Sequence, residues 1–156
     1  MRIQICAVAR LRKGPERELY DDYTSRFGKS GRAFNLGPIR LVEVEDKRGG
    51  RAEVEADLLR KAIPDQNEIC ILDERGTVQT SPQFAGWLEQ RRDSGLSELS
   101  FVIGGADGLA PALRDTAHHA LSFGKMVWPH MLARVMLCEQ LYRAASILAG
   151  TPYHRA

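Results

Sequence analysis

Apolar runs of strand length alternate with segments of helical period along the first two thirds of this chain. The runs 3–9, 39–44, 69–72 and 99–103 are rich in Ile, Val and Leu and are bounded by charged or turn-forming residues. Each is followed by a stretch with apolar residues three or four apart, at 16–27, 52–63, 82–92 and 111–121. The alternation predicts four strand–helix units in series, and so an α/β fold with a mostly parallel sheet covered by helices on both faces. Right-handed crossovers follow from strand twist.

Local signals agree with this register. Thr80 or Ser81 can cap a helix that opens at Pro82, with Phe84 and Leu88 as its apolar stripe. Val54, Leu58 and Ala62 share a face of the second helix, and Leu113, Ala117 and Leu121 share a face of the fourth. The last helix, 130–148, is apolar nearly all the way round, interrupted only by Arg134, Glu139, Gln140, Arg143 and Ser146. Such a helix points to a subunit interface or to a central helix of the chain's own core, and the sequence leaves both open.

A chain of 156 residues suits one domain spanning 1–156, and 44% apolar with 27% charged residues matches an ordinary globular composition. The net charge of +2 is too small to announce a nucleic-acid binder by itself. Its distribution is more informative, with basic clusters at Arg10, Arg12, Lys13 and Arg17, at Arg26, Lys29 and Arg32, and at Lys47, Arg48 and Arg51. Most such clusters are solvated faces. Cys6, Cys70 and Cys138 are odd in number and embedded in apolar runs, which reads as buried free thiols and a reducing compartment. The apolar stretch 3–9 is followed by Arg10, Arg12 and Lys13 without a small-residue cleavage site, so it reads as a strand rather than a signal peptide. No run reaches the roughly 18 apolar residues of a membrane span. A cytoplasmic protein is expected.

In an open parallel sheet, ligands sit at the carboxyl ends of the strands. Three such ends stand out: Leu72-Asp73 before Gly76, Gly104-Gly105 before Gly108, and the loop 122–129. The paired glycines let backbone approach a ligand with no Cβ between. Other chemistries lack their motifs. The segment after the first strand reads AVARLRKG, which is not a dinucleotide fingerprint, and no Walker-type phosphate loop occurs. No CxxC pair, HExxH or GxSxG elbow is present, and His118 and His119, adjacent on the fourth helix, point apart. No metal is expected, and the ligand is organic and held by backbone contacts.

The stretches IGGADGL at 103–109, KMVWPHMLARVMLCEQLYRA at 125–144 and PYHR at 152–155 resemble the bacterial large-subunit rRNA pseudouridine N3-methyltransferase family, part of the SPOUT superfamily. The resemblance covers nearly the whole chain, including the basic turn Lys47-Arg48-Gly49. It implies a five-stranded parallel α/β fold whose C-terminal segment forms a deep trefoil knot, working as a homodimer. It also implies S-adenosyl-L-methionine as cofactor, bound by Leu72, Gly104, Gly105, Phe123, Gly124, Lys125, Met126, Val127 and Trp128, largely through backbone. Relatives commonly read Ser-Lys-Met-Thr where this chain has Gly124-Lys125-Met126-Val127.

The activity implied is transfer of a methyl group to N3 of a pseudouridine in 23S rRNA, within an assembled ribosome. Catalysis then needs a positioned acceptor and an exit for the N3 proton. The tail residues Tyr153, His154 and Arg155 are the best source of such groups, in a lid that can come from the partner subunit. Arg143 pairs with Glu139 one turn earlier, and His130 is a helix-start contact. Without an appended RNA-binding domain, Arg12, Lys47, Arg48, Arg51 and Arg155 are candidate phosphate contacts. The competing reading is a non-catalytic ribosome-binding factor that keeps the fold and has lost the chemistry.

Overall fold

The computed structural model describes residues 1–47 and 51–154. Five strands, β1 (Arg2–Val8), β2 (Ile39–Val44), β3 (Glu68–Val78), β4 (Glu98–Ile103) and β5 (His119–Ser122), form one all-parallel sheet in the order β2-β1-β4-β3-β5. The central strands are buried because successive residues feed two apolar layers. Ile3, Ile5 and Ala7 of β1 pack into one layer, and Cys6 and Val8 into the other. Helices α1 (Pro15–Gly31), α3 (Ser81–Asp93) and α5 (His130–Leu148) cover the first layer with Phe27, Leu88 and Leu141. Helices α2 (Ala52–Ala62) and α4 (Pro111–Arg114) close the second with Leu59 and Leu113.

The expected cap is present. Thr80 Oγ1 accepts from the Gln83 N–H at 3.3 Å, and Gln83 Oε1 accepts from the Thr80 N–H at 2.8 Å, a capping box with Ser81 rather than Pro82 as first helical residue. In α2 the buried face is Glu55, Ala56 and Leu59, followed by Ile63, while Val54 and Leu58 lie half-buried on its flank. That rotation turns the Glu55 carboxylate toward Gly105.

The fourth helix differs from expectation. It stops at Arg114, and residues 119–122 form an edge strand instead. The Thr116 hydroxyl donates to the Leu113 carbonyl at 2.7 Å. The His118 N–H then donates to the Ile69 carbonyl at 3.0 Å, and His118 Nδ1 accepts from the Ile69 N–H at 3.1 Å, so β3 captures the chain. Leu113 and Leu121, eight apart and so on one face of a helix, end up in opposite apolar layers. Sheet pairing overrides a helical period in so short a segment.

The apolar girth of α5 is consumed mostly within the chain. Ala133, Val135, Leu137, Cys138, Leu141, Ala144 and Ala145 are buried, and the helix lies against both α1 and α3. Much of its hydrophobicity thus serves a central position in the chain's own core, while Leu132 stays exposed and Met131, Met136 and Tyr142 half-buried.

β3 and β5 pair in two stretches, Leu72 with Leu121 and then Thr77 with Leu121, so residues 73–76 leave the ladder. A Cβ on Gly76 would lie 2.7 Å from the carbonyl carbon and oxygen of Ala120, so this excursion runs directly against β5. Burial raises all three thiols, Cys6 to about 11, Cys70 to about 12 and Cys138 further still. Native protein near pH 8 should therefore leave its 3 cysteines unmodified by an aromatic disulfide reagent and react at all of them only when unfolded. A fast-reacting equivalent in the native state would contradict this burial.

Candidate active site

In a parallel sheet every strand ends at the same edge, and here that edge is hollow. Leu72–Arg75 where β3 leaves its pairing with β5, residues 103–109 after β4, and Leu121, Phe123, Gly124 and residues 126–128 around the end of β5 wall a cavity of about 700 Å³. Pro129, His130 and Ala133 at the start of α5 complete it. Such a volume suits a nucleoside-sized ligand.

The wall after β4 depends on glycine. A Cβ on Gly104 would stand 2.5 Å from the Gly108 carbonyl oxygen, and one on Gly105 2.8 Å from Glu55 Oε2 and 3.1 Å from Val8 Cγ1. The turn closes with the Gly108 N–H donating to the Gly105 carbonyl at 3.1 Å. The wall after β5 is pinned by Ser122, whose buried hydroxyl lies 3.2 Å from the Glu74 carbonyl and 3.0 Å from the Gly124 carbonyl, and accepts from the Gly124 N–H at 3.1 Å. Gly124 has φ +109, a conformation that L side chains rarely adopt, so the serine that the family resemblance leads one to expect here would be strained in this loop.

Charged groups at the site are partly engaged. Asp73 accepts from the Arg75 N–H at 2.9 Å and lies 3.8 Å from the Arg114 guanidinium. Burial, then Asp107 and Asp46, raises Glu55 above the usual carboxylate range behind the Gly105 turn. Burial, then Arg134, lowers His130, which keeps its imidazole neutral at neutral pH. Met126, Val127 and Trp128 leave apolar surface exposed at the mouth.

The cavity gathers Leu72, Gly104, Gly105, Phe123, Gly124, Met126, Val127 and Trp128 of the expected cofactor set, while Lys125 sits exposed in the same loop off the wall. Sequence reasoning placed Leu72-Asp73 at a ligand-bearing strand end, missed Arg75, Asp107 and Arg114 as wall residues, and assigned His130 only a helix-start role. Asp107 sits inside the glycine turn and was open to discovery there. Nothing in the sequence signals Arg114, which arrives through the early end of α4.

The tail lies elsewhere. The Tyr153 hydroxyl donates to Glu139 Oε1 at 3.0 Å, its ring packs on Tyr142 at 4.5 Å, and the Arg143 guanidinium stands 4.8 Å over it. Arg143 does pair with Glu139, Nε to Oε1 at 2.9 Å. Burial, then Tyr23 and Glu139, raises the Tyr153 phenol, which stays a donor near neutrality. His154 Nδ1 is buried with no hydrogen-bond partner among the described residues. Arg155 and Arg48 lie outside the described residues. Arg12, Lys47 and Arg51 are exposed beyond the carboxyl ends of β1 and β2, on the edge that carries the cavity. Among the described residues no His, Cys, Asp and Glu cluster could hold a metal ion, and no helix is long and apolar enough to cross a membrane.

An all-parallel sheet with a glycine-walled cavity at its carboxyl edge defines an α/β protein with its candidate ligand site where such sheets carry one. Residues 1–154 match the family described as "Predicted SPOUT methyltransferase". The chain is 63% identical over 155 residues to the ribosomal RNA large subunit methyltransferase H of Dinoroseobacter shibae and 64% identical over 155 residues to that of Roseobacter denitrificans, covering 99% of each chain in both comparisons. A solved structure of a probable methylase family protein from Haemophilus influenzae Rd KW20 aligns with a TM-score of 0.54, at 13% identity, over 99% of this chain and 70% of that one, a likeness of fold alone. The chain belongs to the SPOUT methyltransferase family. The trefoil knot is a property of that family's fold.

Proposed function

We propose that this protein methylates N3 of a pseudouridine in 23S rRNA of the large ribosomal subunit, using S-adenosylmethionine, as a cytoplasmic homodimer. The observation that carries the proposal is the glycine-walled cavity, formed by the three strand-end loops, in a chain that is 63% identical to a ribosomal RNA large subunit methyltransferase H. The walls fit the cofactor, because the Gly104-Gly105 turn packs against Gly108, Glu55 and Val8 too closely to admit a Cβ, and that packing lays its backbone along the cavity. Leu72, Gly104, Gly105 and the 123–128 loop would hold it. When bound, S-adenosylmethionine supplies an electrophilic methyl on a sulfonium.

The remaining work belongs to the chain. Transfer would form an N–CH3 bond at N3 as the S–CH3 bond breaks, so the chain has to orient the base in line and give the N3 proton an exit to a base or to water. In one chain the tail is remote from this chemistry. Among the described residues no wall residue lies beyond Ala133, and the Tyr153 hydroxyl sits at Glu139, nine residues or about 14 Å along α5 from His130. A tail that acts on substrate therefore acts at the cavity of a second subunit, which makes the dimer part of the active site. The unpartnered His154 nitrogen supports a group that finds its partner there.

Two measurements test this. Calorimetry should show one S-adenosylmethionine or S-adenosylhomocysteine site per cavity. Mass spectrometry of rRNA from a deletion strain should show a pseudouridine lacking its N3 methyl, restored by the gene. No heat with either ligand, or an unchanged methylation state, would leave a binding factor as the better reading.

A further inference from the structure

The turn at the carboxyl end of β1 is built with unusual care. Ala9 adopts φ +67, a left-handed conformation that disfavours non-glycine residues and persists only where neighbours impose it. Its N–H donates to the Val44 carbonyl at 2.8 Å. From the other side, Arg134 of α5, fully buried, donates to the carbonyls of Val8 at 2.9 Å and Ala9 at 3.2 Å. The same guanidinium contacts Glu43 Oε1 at 2.8 Å, and that oxygen also accepts from the Leu11 N–H at 2.6 Å. Leu11 is thereby drawn into the core while Arg10, Arg12 and Lys13 are turned outward.

Those three cations are also unneutralised. Arg17, Arg26, Arg91, Arg92 and Arg143 each pair with a carboxylate, whereas Arg10, Arg12 and Lys13 form no salt bridge among the described residues. The turn borders the cavity, since Ala7 pairs with Ile103 and Val8 abuts Gly105. Arg134 stands next to Ala133, which lines the cavity. A buried arginine would be a poor investment for stability alone, because its desolvation offsets much of its pairing.

We infer that residues 9–14 form a phosphate clamp for the RNA entering the cavity, and that Arg134, held by Glu43, is the positioning residue that fixes the clamp beside the methyl-donor site. This inference rests on the rRNA methyltransferase reading. Exposed, unpaired cations on a rigid turn bind backbone phosphates without reading sequence, and their loss weakens binding and its salt dependence together.

The experiment compares five proteins by ribosome affinity against salt, KM for ribosomes, and calorimetry with S-adenosylhomocysteine. They are wild type, Glu43→Gln, Arg134→Lys, a triple variant carrying Arg10→Ala, Arg12→Ala and Lys13→Ala, and that triple variant with Glu43→Gln added. The triple variant should raise KM at least about tenfold and flatten the salt slope by about 2, with cofactor affinity unchanged. Glu43→Gln and Arg134→Lys should raise KM severalfold with kcat at saturating ribosome within about threefold of wild type. Combined with the triple variant, Glu43→Gln should add nothing, because its effect runs through the clamp. An unchanged salt slope in the triple variant overturns the clamp. A KM for Glu43→Gln that is unchanged, or that rises equally in both backgrounds, overturns the positioning role. Wild-type protein that binds ribosomes but transfers no methyl refutes the methyltransferase reading separately, and the salt slope still decides the clamp.

Discussion

A Gly104→Ala variant should lose cofactor binding, with affinity for S-adenosylhomocysteine falling at least about a hundredfold, the scale of a wall displaced by an ångström. The new methyl would stand 2.5 Å from the Gly108 oxygen and 2.6 Å from its carbonyl carbon, both backbone atoms with no rotamer to change. The glycine turn must open to admit it. Gly108 itself has free space around it but φ +76, so a substitution there strains the backbone without a clash and should weaken binding less. Gly86 provides the control: on an exposed face of α3, with nothing within 4 Å of a Cβ, Gly86→Ala should stabilise by about 0.5–1 kcal/mol and leave binding untouched. Calorimetry on the three variants gives the order directly. A Gly104→Ala protein that binds within threefold of wild type would show that the turn is not the cradle.

The ranking also shows what the sequence made legible. The layers of the sheet were readable because Ile3, Ile5 and Ala7 alternate with Cys6 and Val8, and a two-residue period admits one reading in a central strand. Gly104, Gly105 and Gly124 were readable as backbone devices. The strand 119–122 was not, because Leu113, Ala117 and Leu121 keep a helical spacing and only the hydrogen bonds from β3 to His118 decide against it. Arg134 was hidden for the opposite reason. In sequence it interrupts an apolar helix as a polar residue would, and only its contact with Glu43, 91 residues away, shows that it belongs to the interior. The tail lies between these cases, its chemistry visible and its address not, since the order of residues says nothing about which cavity a terminal segment serves.

That address sets up the second large effect. Truncation after Gly150 should leave cofactor binding intact, because among the described residues the cavity takes none beyond Ala133, and should reduce methyl transfer by about a thousandfold, within the range for losing a positioned proton-transfer group. The helix end survives the cut, since Gly150 at φ +63 still closes α5 with its N–H on the Ile147 carbonyl. What is lost is the Tyr153 packing on Tyr142 and the reach of His154. His154→Ala in the full-length chain should reproduce most of the rate loss, which separates the imidazole from the bulk of the tail. Mixing decides where the tail acts. Truncated subunits keep their cavities and Gly104→Ala subunits keep their tails, so each protein alone is inactive by a different route. If the tail serves the partner's cavity, equal mixing with free exchange makes about half the dimers mixed, each with one complete site, and returns about a quarter of wild-type activity. If the tail serves its own cavity, the mixed dimer holds no complete site and the mixture stays inactive. Recovery to that level, rising with time of subunit exchange, is the expected result, and its absence with mixed dimers demonstrably present would return the tail to its own subunit.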